Sequence, residues 1–172
     1  MNMNLFSRNV CRQMYWTCWP DKIMRAQMDG SEVAQVLSGR DHPVGITIDF
    51  DESRLFWAEY GAHMIYSSAL DGSDISVVAS SETDSVVHVP GTYPWGIAVH
   101  NQDVYWGNFH GRSLQRCSKK GGSVETLLTE QGHIQQLTTT RWNFTVTRQN
   151  DCEDKNCGRI CVLTASSYRC VR

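Results

Sequence analysis

Apolar and polar positions alternate along this chain in short runs separated by turn residues. Val44-Gly45-Ile46-Thr47-Ile48-Asp49 has the period of a half-buried strand. Asp51-Glu52-Ser53 reads as a turn, and Leu55-Phe56-Trp57 as a second strand whose aromatics suit a pleated surface. Tyr60-Gly61-Ala62 is a loop, and Met64 to Leu70 predicts a third strand closed by the hairpin signal Asp71-Gly72. Ile75 to Ala79 completes a set of four short antiparallel strands. No stretch carries an extended helical period, so helical repeats are not expected.

The same order of signals occurs three times. Tyr15-Trp16, Phe56-Trp57 and Tyr105-Trp106 head the repeats, 41 and 49 positions apart. Each pair is followed by an apolar residue (Ile23, Ile65, Leu114), a small one three places on (Ala26, Ser68, Cys117) and a glycine turn. A valine- or leucine-rich run follows, then Pro43-Val44-Gly45-Ile46, Pro94-Trp95-Gly96-Ile97 or the degenerate His133-Ile134-Gln135-Gln136. Repeats of roughly 40–50 residues built from four strands are propeller blades. One such sheet cannot bury both faces alone, so neighbours must stack on it. The aromatic-Trp pairs, on middle strands, are expected in the core between blades.

Alternating strand direction sorts the loops onto two rims. The glycine hairpins share one rim. The other takes the loops after the aromatic strands and the connections between repeats. Five of the six histidines fall on this second rim: His42, His63, His88, His110 and His133. It also takes the aromatic loop residues Trp19, Tyr60, Tyr93 and Phe109, and Arg112. The middle repeat has its insertion here, with 38 positions from Phe56 to Pro94 against 28 from Tyr15 to Pro43. These residues are the candidate ligand-facing set. Arg112, Arg116, Lys119 and Lys120 read as a solvated strand edge.

Composition narrows the functional classes. A net charge of −2 over 172 residues implies no nucleic-acid partner. No apolar run reaches the roughly 20 residues of a membrane span, so no direct membrane insertion is expected. A secretory signal is not visible at Met1–Phe6. Yet four of the seven cysteines crowd residues 152–170, as in a disulfide module of an oxidising compartment, and Asn143-Phe144-Thr145 is a glycosylation sequon. Together these predict a fragment of a longer extracellular protein. Gly-x-Ser-x-Gly, His-Glu-x-x-His and a phosphate-cradling glycine loop are all missing from the sequence, and no cofactor or metal is expected. Asp49-Phe50-Asp51 lacks the glycine and later glutamate of a calcium loop and reads as a turn. Cys117, at a small-residue position, reads as a buried free thiol; pairing of Cys11 with Cys18 stays open.

The aromatic-Trp strand, the Ile-x-x-small strand, the Asp-Gly hairpin and the Pro-x-Gly-Ile strand, in this order, resemble the class B repeat of the low-density-lipoprotein receptor family, whose strand reads Tyr-Trp-Thr-Asp. The likeness covers about residues 14–140. Cys152-x4-Cys157-x3-Cys161-x8-Cys170 is similar to the first four cysteines of the epidermal-growth-factor-like (EGF-like) module that follows the propeller in that family. The resemblance implies an all-β fold: a partial six-bladed β-propeller of about three four-stranded blades, plus a small disulfide-rich EGF-like tail. Its divisions are an irregular segment at 1–13, class B repeats with a closing strand at 14–147, and a truncated EGF-like module at 148–172. It implies the pairings Cys152–Cys161 and Cys157–Cys170. The family's fifth module cysteine would fall two residues after Cys170, where this chain has Arg172, so the last bridge is not expected. The chain departs from the family where an inter-blade Asp is replaced by Cys18, Glu59 and Asn108.

The resemblance further implies a non-enzymatic extracellular recognition module, part of a larger receptor ectodomain. Such a module would take part in binding protein or lipoprotein ligands, in their acid-dependent release and in endocytosis. Histidines gathered on one rim fit acid release, because imidazole gains charge between about pH 8 and 5. A structural matrix or adhesion protein of the nidogen type, built on the same repeats, is the alternative. A propeller hydrolase or lactonase would need a convergent acid–base or metal set, which the sequence does not offer. A ring of two copies, closed by Ile134 to Thr140 of one against the Met14 strand of the other, is a further arrangement the repeat count allows.

Overall fold

The computed structural model describes residues 13–80, 93–129, 134 and 136–137 in full, and 138–139, 160–163 and 168–171 as backbone. Its described elements are all strands. The first sheet is β1 (Gln13–Cys18), β2 (Lys22–Gln27) and β3 (Ala34–Leu37). The second is β4 (Pro43–Asp49), β5 (Arg54–Glu59), β6 (Met64–Ala69) and β7 (Ser76–Ser80). The third is β8 (Pro94–His100), β9 (Asp103–Asn108), β10 (Ser113–Ser118) and β11 (Glu125–Thr129). A last sheet holds β12 (Gln136–Thr139), β13 (Ile160–Leu163) and β14 (Tyr168–Val171). In every sheet neighbours in sequence are antiparallel neighbours in space, the meander of a propeller blade.

The repeats match even in their irregularities. The register slips between Pro43 and Ile46 in the second sheet and between Pro94 and Ile97 in the third. A second slip follows Ile23, Ile65 and Leu114, one in each of the first three sheets. A bulge re-aims the strand and increases its twist. Thus the Pro-x-Gly-Ile motif marks a bulge at the start of β4 and of β8. The three apolar residues that open the third runs are all buried.

Two hairpins show why the glycine turns recur. Asp29 Oδ1 accepts from the Ser31 N–H (2.9 Å) and the Ser31 hydroxyl (2.6 Å), and Asp71 holds Ser73 with the same geometry. These bonds hold both carboxyls below the ordinary aspartate value. The residues between, Gly30 and Gly72, have φ of 83° and 89°, where a side chain is strained. At Gly72 a Cβ would also stand 2.7 Å from the Val36 carbonyl of the neighbouring sheet.

The core is divided among the gaps between sheets. A strand sends successive side chains to opposite faces, so each aromatic pair serves two gaps. Trp57 joins Ile23 and Leu55 in the first gap, with Tyr15, Ile46 and Tyr66 packed around them. Phe56 points the other way and meets Trp106, Ile65, Val104 and Ile97 in the second gap. Tyr105 turns onward to Ile134 and Leu137 in the third. Trp57 and Trp106 are both fully buried, at 0% exposure. The expectation of buried pairs therefore holds for the second and third repeats. In the first, Tyr15 and Trp16 are only half-buried and Met14, on the same face as Trp16, is 38% exposed. Among the described residues no sheet stacks against that face.

Backbones come close across the gaps. Thr17 Oγ1 donates to the Val44 carbonyl at 2.9 Å, joining the first sheet to the second. Gly107 stands one residue after Trp106 as Thr17 does after Trp16, and a Cβ there would lie 2.5 Å from the Ile134 carbonyl. Hence Trp57→Ala should lower unfolding free energy by about 3–5 kcal/mol, the range for emptying a buried aromatic site. Trp16→Ala should cost less, and urea denaturation of the two variants measures the difference. Equal losses would contradict this division of the core.

Candidate functional site

The inter-blade connections form the base of the site. The Arg40 N–H donates to the Asp21 carbonyl (3.0 Å) and the His42 N–H to the Pro20 carbonyl (3.1 Å). The Tyr60 and Gly61 N–H groups then donate to the His42 and Asp41 carbonyls, at 3.0 and 3.2 Å. On the next blade the Phe109 N–H donates to the Tyr93 carbonyl at 2.9 Å. These bonds stitch the loops that alternation assigned to one rim into a continuous surface.

Glu59 is the buried anchor of that surface. It occupies the position two residues after the tryptophan, and its side chain is 2% exposed. Its carboxylate accepts from Arg40 Nε (2.5 Å), the Asp41 N–H (3.1 Å) and Trp57 Nε1 (2.8 Å). Arg40 in turn lies over the Trp57 and Tyr66 rings, 5.6 and 4.6 Å from their centroids. Burial is the largest effect on the guanidinium and works against its charge, but the bond and charge of Glu59, with Tyr66 adding to them, together hold Arg40 above its ordinary value. Asn108, the equivalent residue of the third repeat, accepts from the Tyr93 N–H (3.3 Å) and the Gly111 N–H (3.1 Å). Glu59 and Asn108 thus both hold loops of the rim in place. Cys18, at the first repeat's position, is an exposed free thiol.

Above this base the rings converge. The Tyr93 ring stands 4.2 Å from His63 and 4.3 Å from His110. Tyr60 lies 5.6 Å from both Tyr93 and Trp95, and its hydroxyl shares a 3.2 Å hydrogen bond with His110 Nε2. Phe109 reaches Trp95 at 5.0 Å and His110 at 5.3 Å. Most of these rings are half-buried and His110 is exposed, so one flank packs while the other faces solvent. The result is a patch of aromatic and imidazole rings across the second and third blades. A smaller pair lies at the first blade: Trp19, 70% exposed, stands 5.4 Å from His42, whose Nδ1 is 2.6 Å from Asp41 Oδ1. His42, His63 and Arg112 adopt left-handed φ of 54°, 56° and 48°, uncommon for residues with a Cβ.

The structure therefore brings Tyr60, His63, Tyr93, Phe109 and His110 together and pairs Trp19 with His42. Trp95 belongs to the patch but was assigned by sequence only to its strand motif. Its place beside one bulged proline and opposite another repeat's tyrosine left no local signal. His88, His133, Asn143, Cys11, Cys152 and Cys157 lie outside the described residues. Cys161 and Cys170 are backbone register partners on β13 and β14.

On the opposite rim the structure corrects one expectation. Lys119 is not a solvated strand-edge residue: it is buried, and its Nζ pairs with Asp49 Oδ2 across the gap between the second and third blades. Both side chains are 3% exposed, and Glu52 stands 3.5 Å from the ammonium. Asp49 meanwhile accepts from the Asp51 N–H at 3.0 Å, so the expected turn is present. A lysine near a Gly-Gly turn looks solvent-facing in sequence. Only the neighbouring blade supplies its carboxylate. Cys117 is buried as expected; burial, with Asp103 adding a smaller effect, pushes its thiol up to about 12.

No protein-family model matches the chain. It is 31% identical over 154 residues to low-density lipoprotein receptor-related protein 5 of Mus musculus, covering 87% of this chain and 9% of that protein. It is 26% identical over 153 residues to the vitellogenin receptor Yl of Drosophila melanogaster, covering 87% of this chain and 7% of the receptor. The chain thus spans less than a tenth of these relatives' length. In fold it is similar to a chain of a crystallised nidogen/laminin complex, with a TM-score of 0.66 and 19% identity, over 90% of this chain and 53% of the other.

Two outcomes test the local chemistry. Lys119→Met strands a buried carboxylate and should destabilise the fold by about 3–5 kcal/mol, while adding Asp49→Asn should recover part of the loss. Denaturant titration of the two variants reads both numbers. In the folded protein Cys18 should react promptly with a thiol reagent and Cys117 only on unfolding, because the thiolate is the reactive form. Mass spectrometry of the labelled peptides distinguishes them.

Proposed function

From a chain whose repeats are those of the low-density-lipoprotein-receptor class B family, we infer a non-enzymatic, ligand-binding propeller segment of a receptor ectodomain. The matched relatives are receptors. The observation that carries the reading is the ring patch of Tyr60, His63, Tyr93, Trp95, Phe109 and His110. Aromatic side chains on a stiff framework offer large contact area at low entropic cost, and recognition commonly sits on loops held by such a scaffold. The partner is a protein, with lipoprotein particles as carriers of such protein. The surrounding ectodomain, an EGF-like tail with bridges Cys152–Cys161 and Cys157–Cys170, and a glycan at Asn143 complete the extracellular reading. A matrix role of the nidogen type rests on a 19% identical fold match alone, and the receptor reading takes precedence.

Acid-dependent ligand release and endocytosis are the finer part of this reading, and the imidazoles of the patch support the release. A neutral imidazole has one acceptor nitrogen, whereas the imidazolium only donates. A protonated imidazole at His110 can only donate to the Tyr60 hydroxyl, which ends any acceptor role of its Nε2. Protonated imidazoles at His63 and His110 would also place positive charge against the Tyr93 ring, with Arg112 on the same rim. A ligand fitted to the neutral patch then meets a charged one.

A displayed peptide library selected on the chain at pH 7.4 provides a defined probe. Enriched peptides should bind Tyr93→Ala at least about tenfold more weakly, the cost of one good aromatic contact. They should elute near pH 5.5 from the native chain but stay bound to the His63→Gln/His110→Gln variant. Peptides indifferent to Tyr93→Ala would remove the patch from the binding surface. An unchanged acid elution from the double variant would remove the histidines from the release.

A further inference from the structure

The last sheet repeats the blades more closely than its sequence does. β12 is seated as an inner strand: Ile134 and Leu137 are buried against Tyr105 and Leu114, and the Ile134 carbonyl faces Gly107 as the Val44 carbonyl faces Thr17. In the complete blades the inner strand pairs with the aromatic-Trp strand. There Ile46 lies opposite Trp57, Thr47 opposite Phe56, Ile48 opposite Leu55 and Asp49 opposite Arg54. The third blade keeps this register, with Ile97 opposite Trp106 and Ala98 opposite Tyr105. On β12 the same four positions are met by the tail: Gln136 by Leu163, Leu137 by Val162, Thr138 by Cys161 and Thr139 by Ile160.

The correspondence continues one strand further. Trp57 lies opposite Tyr66 and Leu55 opposite Ser68; in the tail Leu163 lies opposite Tyr168 and Cys161 opposite Cys170. The cysteine pair therefore holds the register place of Leu55 and Ser68, and of Val104 and Cys117, which are buried in the complete blades. Six cross-strand pairs agree with the repeat, though Ile160-Cys161-Val162-Leu163 has no aromatic-Trp pair and lay in the segment assigned to a separate module.

We propose that the cysteine-rich hairpin β13–β14 is a capping half-blade. It fills on β12 the places that the second and third strands of a further repeat would take. An inner strand left without its neighbour presents a row of unpaired N–H and C=O groups, a template for another chain. Repeat arrays close such ends with atypical terminal units. The occupant that the cap excludes is a strand of the β1 kind. Among the described residues β1 pairs with β2 alone, and its Trp16 stands where Trp57 and Trp106 meet their inner strands. The edge of β12 therefore accepts either its own tail or β1 of a second copy. This reading does not depend on the ligand patch.

The native chain supplies the first test. Nuclear Overhauser contacts between backbone protons of Leu137 and Val162 should appear in the full-length protein, and their absence would overturn the proposal without any variant. Next, Val162→Pro removes an N–H from β13 and clashes within a sheet, whereas Val162→Ala keeps the backbone intact. The proline variant should speed amide exchange across Gln136–Thr139 by about tenfold or more, as a local opening does. It should also sediment as a dimer or larger species at concentrations where Val162→Ala does not. Unchanged exchange on β12 together with unchanged sedimentation would identify the tail as an independent module.

Discussion

Every sheet in this protein depends on having a neighbour. A strand exposes two faces, and a four-stranded blade built of aromatic and branched residues has apolar side chains on both. The repeat resolves this by giving the two members of each aromatic pair opposite directions. Trp57 is covered by the first sheet, Phe56 by the third, and Trp106 returns the contact to Phe56. Burial of that kind is the main favourable term in folding. It also explains the half-buried Trp16: it has the right sequence and strand, but its face has no neighbouring sheet among the described residues, whereas Tyr15 points into the first gap.

The same stacking decides the chemistry at the two rims. On one, Glu59 sits where the receptor repeats carry aspartate, and its longer side chain still reaches the loop before the blade. It holds Arg40 and Asp41 together and takes the Trp57 indole proton as well. Asn108 does the corresponding work with neutral chemistry. On the other rim Lys119 crosses to Asp49 of the preceding blade. These polar contacts are specific because they lie where water is displaced by the neighbouring sheet, so an unmade partner is costly. The ring patch stands on this braced framework, with loops from two blades meeting around Tyr93.

Much of this was legible in the residues. The four-strand unit, its turns and the split of loops between rims follow from period-two alternation and turn chemistry, which act within a few residues. Strand bounds in the second repeat, Met64–Ala69 among them, agree with that reading to within a residue or two. Five of the rim candidates meet in one patch because alternation alone puts their loops on the same side. Trp95 and Lys119 escaped because each is defined by a residue from another blade: Tyr60 and Phe109 for the indole, Asp49 for the ammonium.

The sequence by itself determined the blade: its strand order, its glycine turns and the rim on which each loop falls. Those features are local, set by backbone sterics and by hydrogen bonds between adjacent segments. Only the tertiary structure decided which residues share a gap, which charges become buried partners and which strands complete the sheet begun by β12. Such choices depend on surfaces distant along the chain. The hairpin at 160–171 is the plainest case, since its four-residue strands carry no aromatic-Trp signature and acquire a blade's register only through the strand beside them.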